Sequence, residues 1–307
     1  MELRHLRYFV AVAEEGSLLT AAQRRLNTSQ PSLSRQIRDL ESEVGVKLLE
    51  RQARGVILTA AGRVFLDHAR LALLQVEAAT DGARRAEQPE RAVFSIGFLA
   101  GQEVVWLPHA LRIIREEAPE VEVTLFSQSS PELAAALMRG KLDMAFLRHE
   151  TQTVGLTFQF LVKEPLIAVL PADHRLTAEK RIRPQDLARE VYVSAARTSP
   201  VLNAVVQDYA ASVGIALKAQ YEGENLSSAM SLVVSTGGVT LIPLYAQNML
   251  TPNVVARALD GMAPSIDLNL GYNEANSSPL LRRILSRAGE LVASVQGQSI
   301  IRYAETG

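Results

Sequence analysis

The chain has 307 residues, 48% of them hydrophobic and 21% charged, a composition typical of globular protein and long enough for two or three domains. It contains no cysteine, which excludes a disulfide framework, a thiolate metal site and a thiol nucleophile. The net charge of −1 hides an asymmetry, since residues 1–66 carry ten Lys and Arg against seven Asp and Glu, leaving the remainder acidic.

From the N-terminus, Leu6, Phe9, Val10 and Ala13 recur at helical spacing and predict the buried face of a first helix. Gly16 closes it, because glycine takes the left-handed turn at little cost. Ser17 is placed to cap a second helix with Leu18, Ala21, Ala22 and Leu26 inward, and the paired alanines permit a close helix crossing. After the polar turn Asn27-Thr28-Ser29, either Thr28 or Ser29 can cap a third helix, with Pro31 tolerated in its first turn. Leu33, Ile37, Leu40 and Val44 form that helix's core stripe, and its opposite face shows Gln30, Ser32, Ser34, Arg35 and Arg38. This pattern predicts a helix-turn-helix whose second helix enters a DNA major groove. Gln matches adenine there, Arg matches guanine, and Ser reaches phosphates or bases. A solvated face on an ordinary helix is the alternative.

Residues 46–59 place two short apolar runs around a basic turn, which reads as a hairpin with Arg51 and Arg54 near its tip. Such a wing suits phosphate or the minor groove. Thr59 is placed to cap a long helix running from Ala60 to about Arg85, roughly 40 Å at 1.5 Å per residue. Phe65, Ala69, Ala72, Val76, Ala79 and Ala83 follow heptad spacing along it. With no evident partner nearby, this stripe is expected to pair with a second copy of the chain, as a two-fold operator requires. The composition changes at Ala86-Glu87-Gln88-Pro89-Glu90, a linker by its residues. The expected units are therefore 1–58, a winged helix-turn-helix; 59–90, a dimerisation helix and hinge; and 91–307.

From Ala92 the texture alternates between strand and helix. Strands are predicted at 93–98, 121–126, 144–147, 166–170, 191–193 and 240–242, and helices at 107–118, 130–139, 201–213, 225–235 and 278–295. This is an α/β region of doubly wound type, large enough to split into two lobes.

At this point the residues carry a resemblance. Met1-Glu2-Leu3-Arg4 through Phe9, Ala21-Ala22, Ser29-Gln30-Pro31-Ser32-Leu33-Ser34, Ile37 with Leu40-Glu41, Leu48-Leu49 and Leu58-Thr59-Ala60-Ala61-Gly62 stand at fixed spacing. Residues 1–90 thereby resemble the DNA-binding half of a LysR-type transcriptional regulator. Gly140-Lys141-Leu142-Asp143-Met144-Ala145, Glu164-Pro165-Leu166 and the run Val234 to Pro243 extend the resemblance to the family's effector-binding module. The resemblance implies a periplasmic-binding-protein-like α/β module, with lobe I at about 91–161 and 265–307 and lobe II at about 162–264. Two crossover strands join the lobes. It also implies tetramers that bend an extended DNA site, effector closure that shifts subunit packing, and RNA polymerase as a further partner. Within the family, Arg148-His149 and the start of the chain look closest to regulators of aromatic-acid breakdown, such as that of phenylpropionate.

In a two-lobed sheet protein the ligand lies beyond the carboxyl ends of the strands. Ala100-Gly101-Gln102 follows the first strand there, and Gly101 lets backbone amides approach a ligand. Ser129-Ser130-Pro131 and Thr198-Ser199-Pro200 each open a helix, with Ser130 expected as N-cap and Pro131 at the first helical position. Arg148, ending an apolar strand, could clamp a carboxylate. The expected effector is a small carboxylate, of aromatic type, held by Gly101, Gln102, Ser130 and Arg148. Plain helix capping by the serines and an interlobe salt bridge by Arg148 are the alternatives. His149 reads as a hydrogen-bonded structural histidine more than a pocket member.

Two other protein classes compete with a regulator. A small-molecule enzyme lacks support, because the five histidines are scattered without metal-ligand spacing and no phosphate loop or nucleophile elbow occurs. An envelope solute-binding protein would use the same two-lobed module, but the start Met1-Glu2-Leu3-Arg4-His5 lacks the apolar core of a secretory signal, no apolar run approaches membrane-spanning length, and the helix-turn-helix pattern does not suit it. A cytoplasmic regulator with no catalytic residue, metal, cofactor or membrane partner is the expectation.

Overall fold

The computed structural model describes residues 1–52, 55–86, 93–150, 153–195 and 198–295. The chain divides into two compact units, Met1–Glu87 and Gln88–Gly307.

The first unit opens with α1 (Leu3–Glu15), which Glu2 and His5 begin as a reciprocal capping box. Its buried residues are Leu6, Phe9, Ala11 and Val12, while Val10 and Ala13 are only half-buried. The core face is therefore the expected stripe widened to Ala11 and Val12, with Val10 and Ala13 packed at its edge. Gly16 ends the helix in the left-handed region at φ 62°. Ser17 then accepts the Thr20 N–H and caps α2 (Leu18–Thr20), which continues as a π-helical turn, Ala21–Arg25. Ala21 and Ala22 are fully buried, as a close crossing demands. Asn27 takes the turn at φ 45°, a conformation Asn tolerates better than other side chains.

Ser29 caps α3 (Gln30–Val44), accepting from Ser32 N, and Leu33, Ile37 and Leu40 face the core. β1 (Leu49–Gln52) and β2 (Gly55–Leu58) pair antiparallel as the wing, from Leu49 opposite Leu58 to Gln52 opposite Gly55. Thr59 starts α4 (Ala60–Ala86), its hydroxyl accepting Gly62 N–H at 2.8 Å.

The expectation that α4 has no partner within its own unit is corrected. Phe65 meets Phe9 of α1 edge-on at 5.1 Å between ring centres, and Leu66 and Ala69 are buried in the same core. Ala72 and Leu73 pack partly against it. The first half of the stripe is consumed internally because α1 offers a complementary apolar face. Beyond Leu74, Val76 is half-buried and Ala79 and Ala83 are exposed.

The second unit is built on an eight-stranded mixed sheet. Its first part follows the order β3 (Val93–Phe98), α5 (Glu103–Glu117), β4 (Glu122–Ser127), α6 (Ser130–Met138) and β5 (Met144–Leu147). β3 lies parallel to both β4 and β5, and β4 is the sheet edge. β6 (Leu156–Pro171) then runs for 16 residues, so the strand expected at 166–170 is only its second half. After it come β7 (Arg181–Ile182), α7 (Pro184–Leu187), β8 (Val193–Ser194), α8 (Pro200–Ser212), β9 (Tyr221–Glu222), α9 (Leu226–Thr236), β10 (Thr240–Pro243) and β11 (Val254–Leu259). β12 (Ser265–Asn273) returns antiparallel beside both β5 and β6, with a register shift at Leu268 and Asn269. α10 (Pro279–Ser286), capped by Ser278, follows, and a second helical run at 288–295 is set off from it at Arg287.

The expected two-lobed α/β module is present; its sheet is mixed, and the long strands β6 and β12 join two cores. One lobe gathers Phe98, Trp106, Ile113, Leu133 and Phe146 around β3 and β5, all buried. In the other, Leu166, Ala168 and Leu170 on one face of β6 pack with Tyr192, Leu202, Val206 and Leu241, while Ile167 and Val169 on the opposite face pack with Ala229, Val233 and Ile242. Burial on both faces explains why this stretch reads as a continuous apolar run.

Candidate functional site

Two polar constellations stand out, one exposed and one buried. The exposed one lies on α3. Its apolar stripe is sunk in the core, which forces Gln30, Pro31, Ser32, Arg35 and Arg38 outward, all exposed. The Arg35 side chain is 79% exposed and stands 3.9 Å from Asp39, a loose pair one turn on. Arg38 donates to Ser34 O at 3.3 Å. Thr28 is half-buried, its N–H given to Ala22 O, so it belongs to the turn. From the wing, Arg51 donates to Ser34 Oγ at 2.7 Å and joins β1 to the exposed face of α3. Arg54, expected at the wing tip, lies outside the described residues.

A residue with no predicted role organises this face. Glu41 is 7% exposed; its Oε1 accepts from Leu48 N at 2.9 Å and Leu49 N at 3.1 Å, and its Oε2 accepts from Lys47 Nζ at 2.8 Å. Burial pushes its carboxyl up, but the Lys47 hydrogen bond and the two N–H donors outweigh it and hold the group below its ordinary value. The sequence signal is an acid directly beside the Leu40 core position.

The buried constellation lies in the second unit, where β3, β5 and β6 meet α5, α6 and the turn after β10. Arg148 Nη2 donates to Glu164 Oε2 at 2.6 Å, with side chains 5% and 10% exposed. Gln102, fully buried, directs Nε2 to both Glu164 oxygens at 3.1 Å each. Arg148 thus forms a salt bridge whose partner stands on β6, through Nη2 and not Nη1. Arg148 N donates to Ser130 Oγ at 2.7 Å, and the Ser130 side chain also bonds Glu150. Burial raises the Glu150 carboxyl above its ordinary value, with the Ser130 hydrogen bond opposing. Tyr245 places its ring centre 5.9 Å from the Arg148 guanidinium carbon, and burial pushes its phenol up.

Several expected roles shift. Ser129, not Ser130, is the N-cap of α6, in a capping box closed by Glu132, so Ser130 is the first helical residue and Pro131 follows it. Ser130 is left free to bridge Arg148 and Glu150. Gly101 has φ 91°, but its N–H goes to Glu103 Oε2 at 2.8 Å, and an added Cβ would sit 2.2 Å from Met249 Sδ. Its open side is thus packed by protein. Thr198 Oγ1 donates to Glu224 O at 2.9 Å, and Ser199 caps α8 without a side-chain bond, so neither bonds to the Arg148 group. His149 is exposed and stacks on Phe158 at 4.4 Å, not held by a hydrogen bond among those described. Glu164, Glu150 and Tyr245 were missed. Glu164 was visible as an acid interrupting apolar sequence.

Residues 3–63 match the bacterial regulatory helix-turn-helix protein, lysR family, and residues 87–292 match the LysR substrate binding domain. The chain belongs to the LysR family of transcriptional regulators. This LysR regulator is 40% identical over 306 residues to the Hca operon transcriptional activator HcaR of Escherichia coli (strain K12), covering 96% of this chain and 99% of that protein. It is 34% identical over 286 residues to the HTH-type transcriptional regulator AlsR of Bacillus subtilis (strain 168), covering 93% and 94%. Among solved structures, full-length CbnR complexed with its target DNA aligns with a TM-score of 0.56 and 26% identity over 95% of this chain and 100% of that one. Full-length BenM aligns at 0.57 and 26%, over 97% and 98%. The regulator is thus a DNA-binding protein with an effector-binding module, not an enzyme or an envelope solute-binding protein. Among the described residues, no helix is long and apolar enough to cross a membrane.

Proposed function

We propose that the regulator reads operator DNA with Gln30, Pro31, Ser34 and Arg35 at base edges, and with Thr28, Ser32, Arg38 and the wing residues Arg51 and Arg54 nearer phosphates. The observation that carries this reading is the nearly free Arg35 guanidinium on the exposed face of a helix whose other face is wholly buried. Arg35→Ala is expected to relax base preference at one operator position, costing about 1–3 kcal/mol there. A uniform loss over all sequences in a gel-shift series would instead assign Arg35 to a phosphate.

DNA binding is controlled by a small aromatic carboxylate bound in the cleft around Gly101, Gln102, Ser130 and Arg148, with Thr198 and Ser199 from the second lobe. Arg148→Ala should weaken binding of aromatic acids in calorimetry; unchanged affinity counts against the site. The working form is a homotetramer in the cytoplasm that contacts RNA polymerase. Ala79 and Ala83, exposed on the second half of α4, and Leu125 and Phe126, exposed on the sheet-edge strand β4, support self-association. The units within the chain are a winged helix-turn-helix at 1–58, a linker helix at 59–90 and an effector module at 91–307.

A further inference from the structure

We infer that the effector is a hydroxylated carboxylate, a molecule that brings a hydrogen-bond donor as well as an anionic acceptor into the Arg148 cluster. The inference rests on that cluster being the effector site. The cluster leaves some of its hydrogen bonds incomplete.

Gln102 has no exposed surface, and its Nε2 is committed to both oxygens of Glu164. Reversing the amide would set its carbonyl oxygen against a carboxylate, so its orientation is fixed by charge. Gln102 Oε1 consequently faces away from Glu164, buried, with no donor. At the other end of the same chain, Arg148 spends Nη2 on Glu164 and interacts with the Tyr245 hydroxyl, while its buried Nη1 has no acceptor in hydrogen-bonding geometry. A buried group left unpaired loses its hydration without compensation, and buried polar groups in native proteins are seldom left so without a reason. Here a stranded donor and a stranded acceptor flank one carboxylate.

A plain monocarboxylate serves only half of this pair. Its oxygens accept from Arg148 Nη1, but Gln102 Oε1 stays unpaired, and the cation it meets is already matched by Glu164. Glu150, 8% exposed and linked through Ser130, adds a further buried acceptor, Oε1, without a partner. The cluster is therefore richer in acceptors than in donors, and its complement must carry a donor. A hydroxyl fits better than an ammonium, since –NH3⁺ needs three acceptors and the cluster leaves two free. Sites built to hydrogen-bond a ligand hydroxyl discriminate strongly against the analogue lacking it, because the protein group is then stranded.

The test titrates the full-length protein by calorimetry with matched acids: benzoate against its 2-, 3- and 4-hydroxy forms, and 3-phenylpropionate against its ring-hydroxylated forms. The expected result is at least one hydroxylated acid binding about tenfold or more tightly than its parent. In Gln102→Leu, or Gln102→Met if the first does not fold, the ratio should collapse toward one. Folding of each variant is read from the fluorescence of Trp106, the single tryptophan, which is buried in the second unit. Equal affinity within every pair overturns the inference, and so does a ratio that survives in the Gln102 variants. Arg148→Lys separates the two levels. If it weakens parent and hydroxylated acids alike while their affinities are equal, the site stands and the donor requirement falls. If no acid's affinity changes in Arg148→Lys, or none binds the native protein, the site assignment itself falls.

Discussion

The two polar constellations solve opposite problems. On α3, Gln30, Ser32, Arg35 and Arg38 remain in water, loosely paired, and wait for a large anionic partner. Around Arg148 the polar atoms are withdrawn from water and bonded to each other, with single atoms left over. The first arrangement costs the fold almost nothing and gains affinity by releasing counterions, so it is sensitive to salt. The second is costly to bury and depends on exact geometry, so it responds to the removal of one hydrogen bond.

The sharpest way to probe that contrast is Glu164→Ala. It strands the Arg148 charge in the interior and should cost the second unit about 3–5 kcal/mol, measured by urea unfolding followed through Trp106. A matching loss on α3 is not expected: Arg35→Ala should leave unfolding unchanged and alter only DNA recognition. If both variants destabilise equally, the contrast fails.

Of intermediate size is Glu41→Gln, which replaces an acceptor of three bonds by an amide that can accept through one atom only. DNA affinity should fall about tenfold, equivalent to roughly 1.4 kcal/mol, with base preference kept, because the wing and not α3 is displaced. A change in base preference would show that Glu41 acts on α3 instead. Because its carboxyl is held below the ordinary value, its stabilisation is complete above the ordinary glutamate range and is lost as the pH falls through the lowered value. Native protein should therefore lose helix-turn-helix stability in acid, and the Gln variant should lose less.

Glu150 gives the smallest effect and the reverse sign. Its raised carboxyl is neutral more readily in the folded state, so stability falls as pH rises from the ordinary to the raised value. Glu150→Gln should stabilise the second unit at neutral pH by about 1 kcal/mol or less, and the gain should vanish in acid. A gain independent of pH would rule out relief of buried charge.

Much of the first unit was legible in the sequence because its punctuation is local. Ser17, Ser29, Thr59 and Gly16 each mark a boundary by satisfying nearby backbone groups. The stripe of α4 misled because heptad spacing does not say which partner fills it, and Phe9 was available at 5.1 Å. In the second unit, β6 looked short because Lys163-Glu164-Pro165 breaks its apolar run. The break is where Arg148 finds its counterion, so the same residue hid the strand and made the site. β12 carried a readable alternation, with Ile266, Leu268 and Leu270 buried around an exposed Asp267, and the Asp260-Gly261 turn before it marks its start. Ser130 was displaced by one position because two consecutive serines precede Pro131, and only Glu132 decides which of them caps.

One feature of the first unit bears on how far apart two operator half-sites can lie. The Thr59 hydroxyl donates to Lys47 O at 2.8 Å, and Thr59 N donates to Leu48 O at 3.0 Å, while Glu41 holds the N–H groups of Leu48 and Leu49 from α3. The start of α4, the entry to the wing and the reading helix are thereby clamped at a single backbone segment, residues 47–49. A rotation of α4 must carry α3 with it. In a dimer joined along the exposed end of α4, that helix acts as a ruler: its pitch and crossing angle set the base-pair spacing that two copies of Arg35 can reach together.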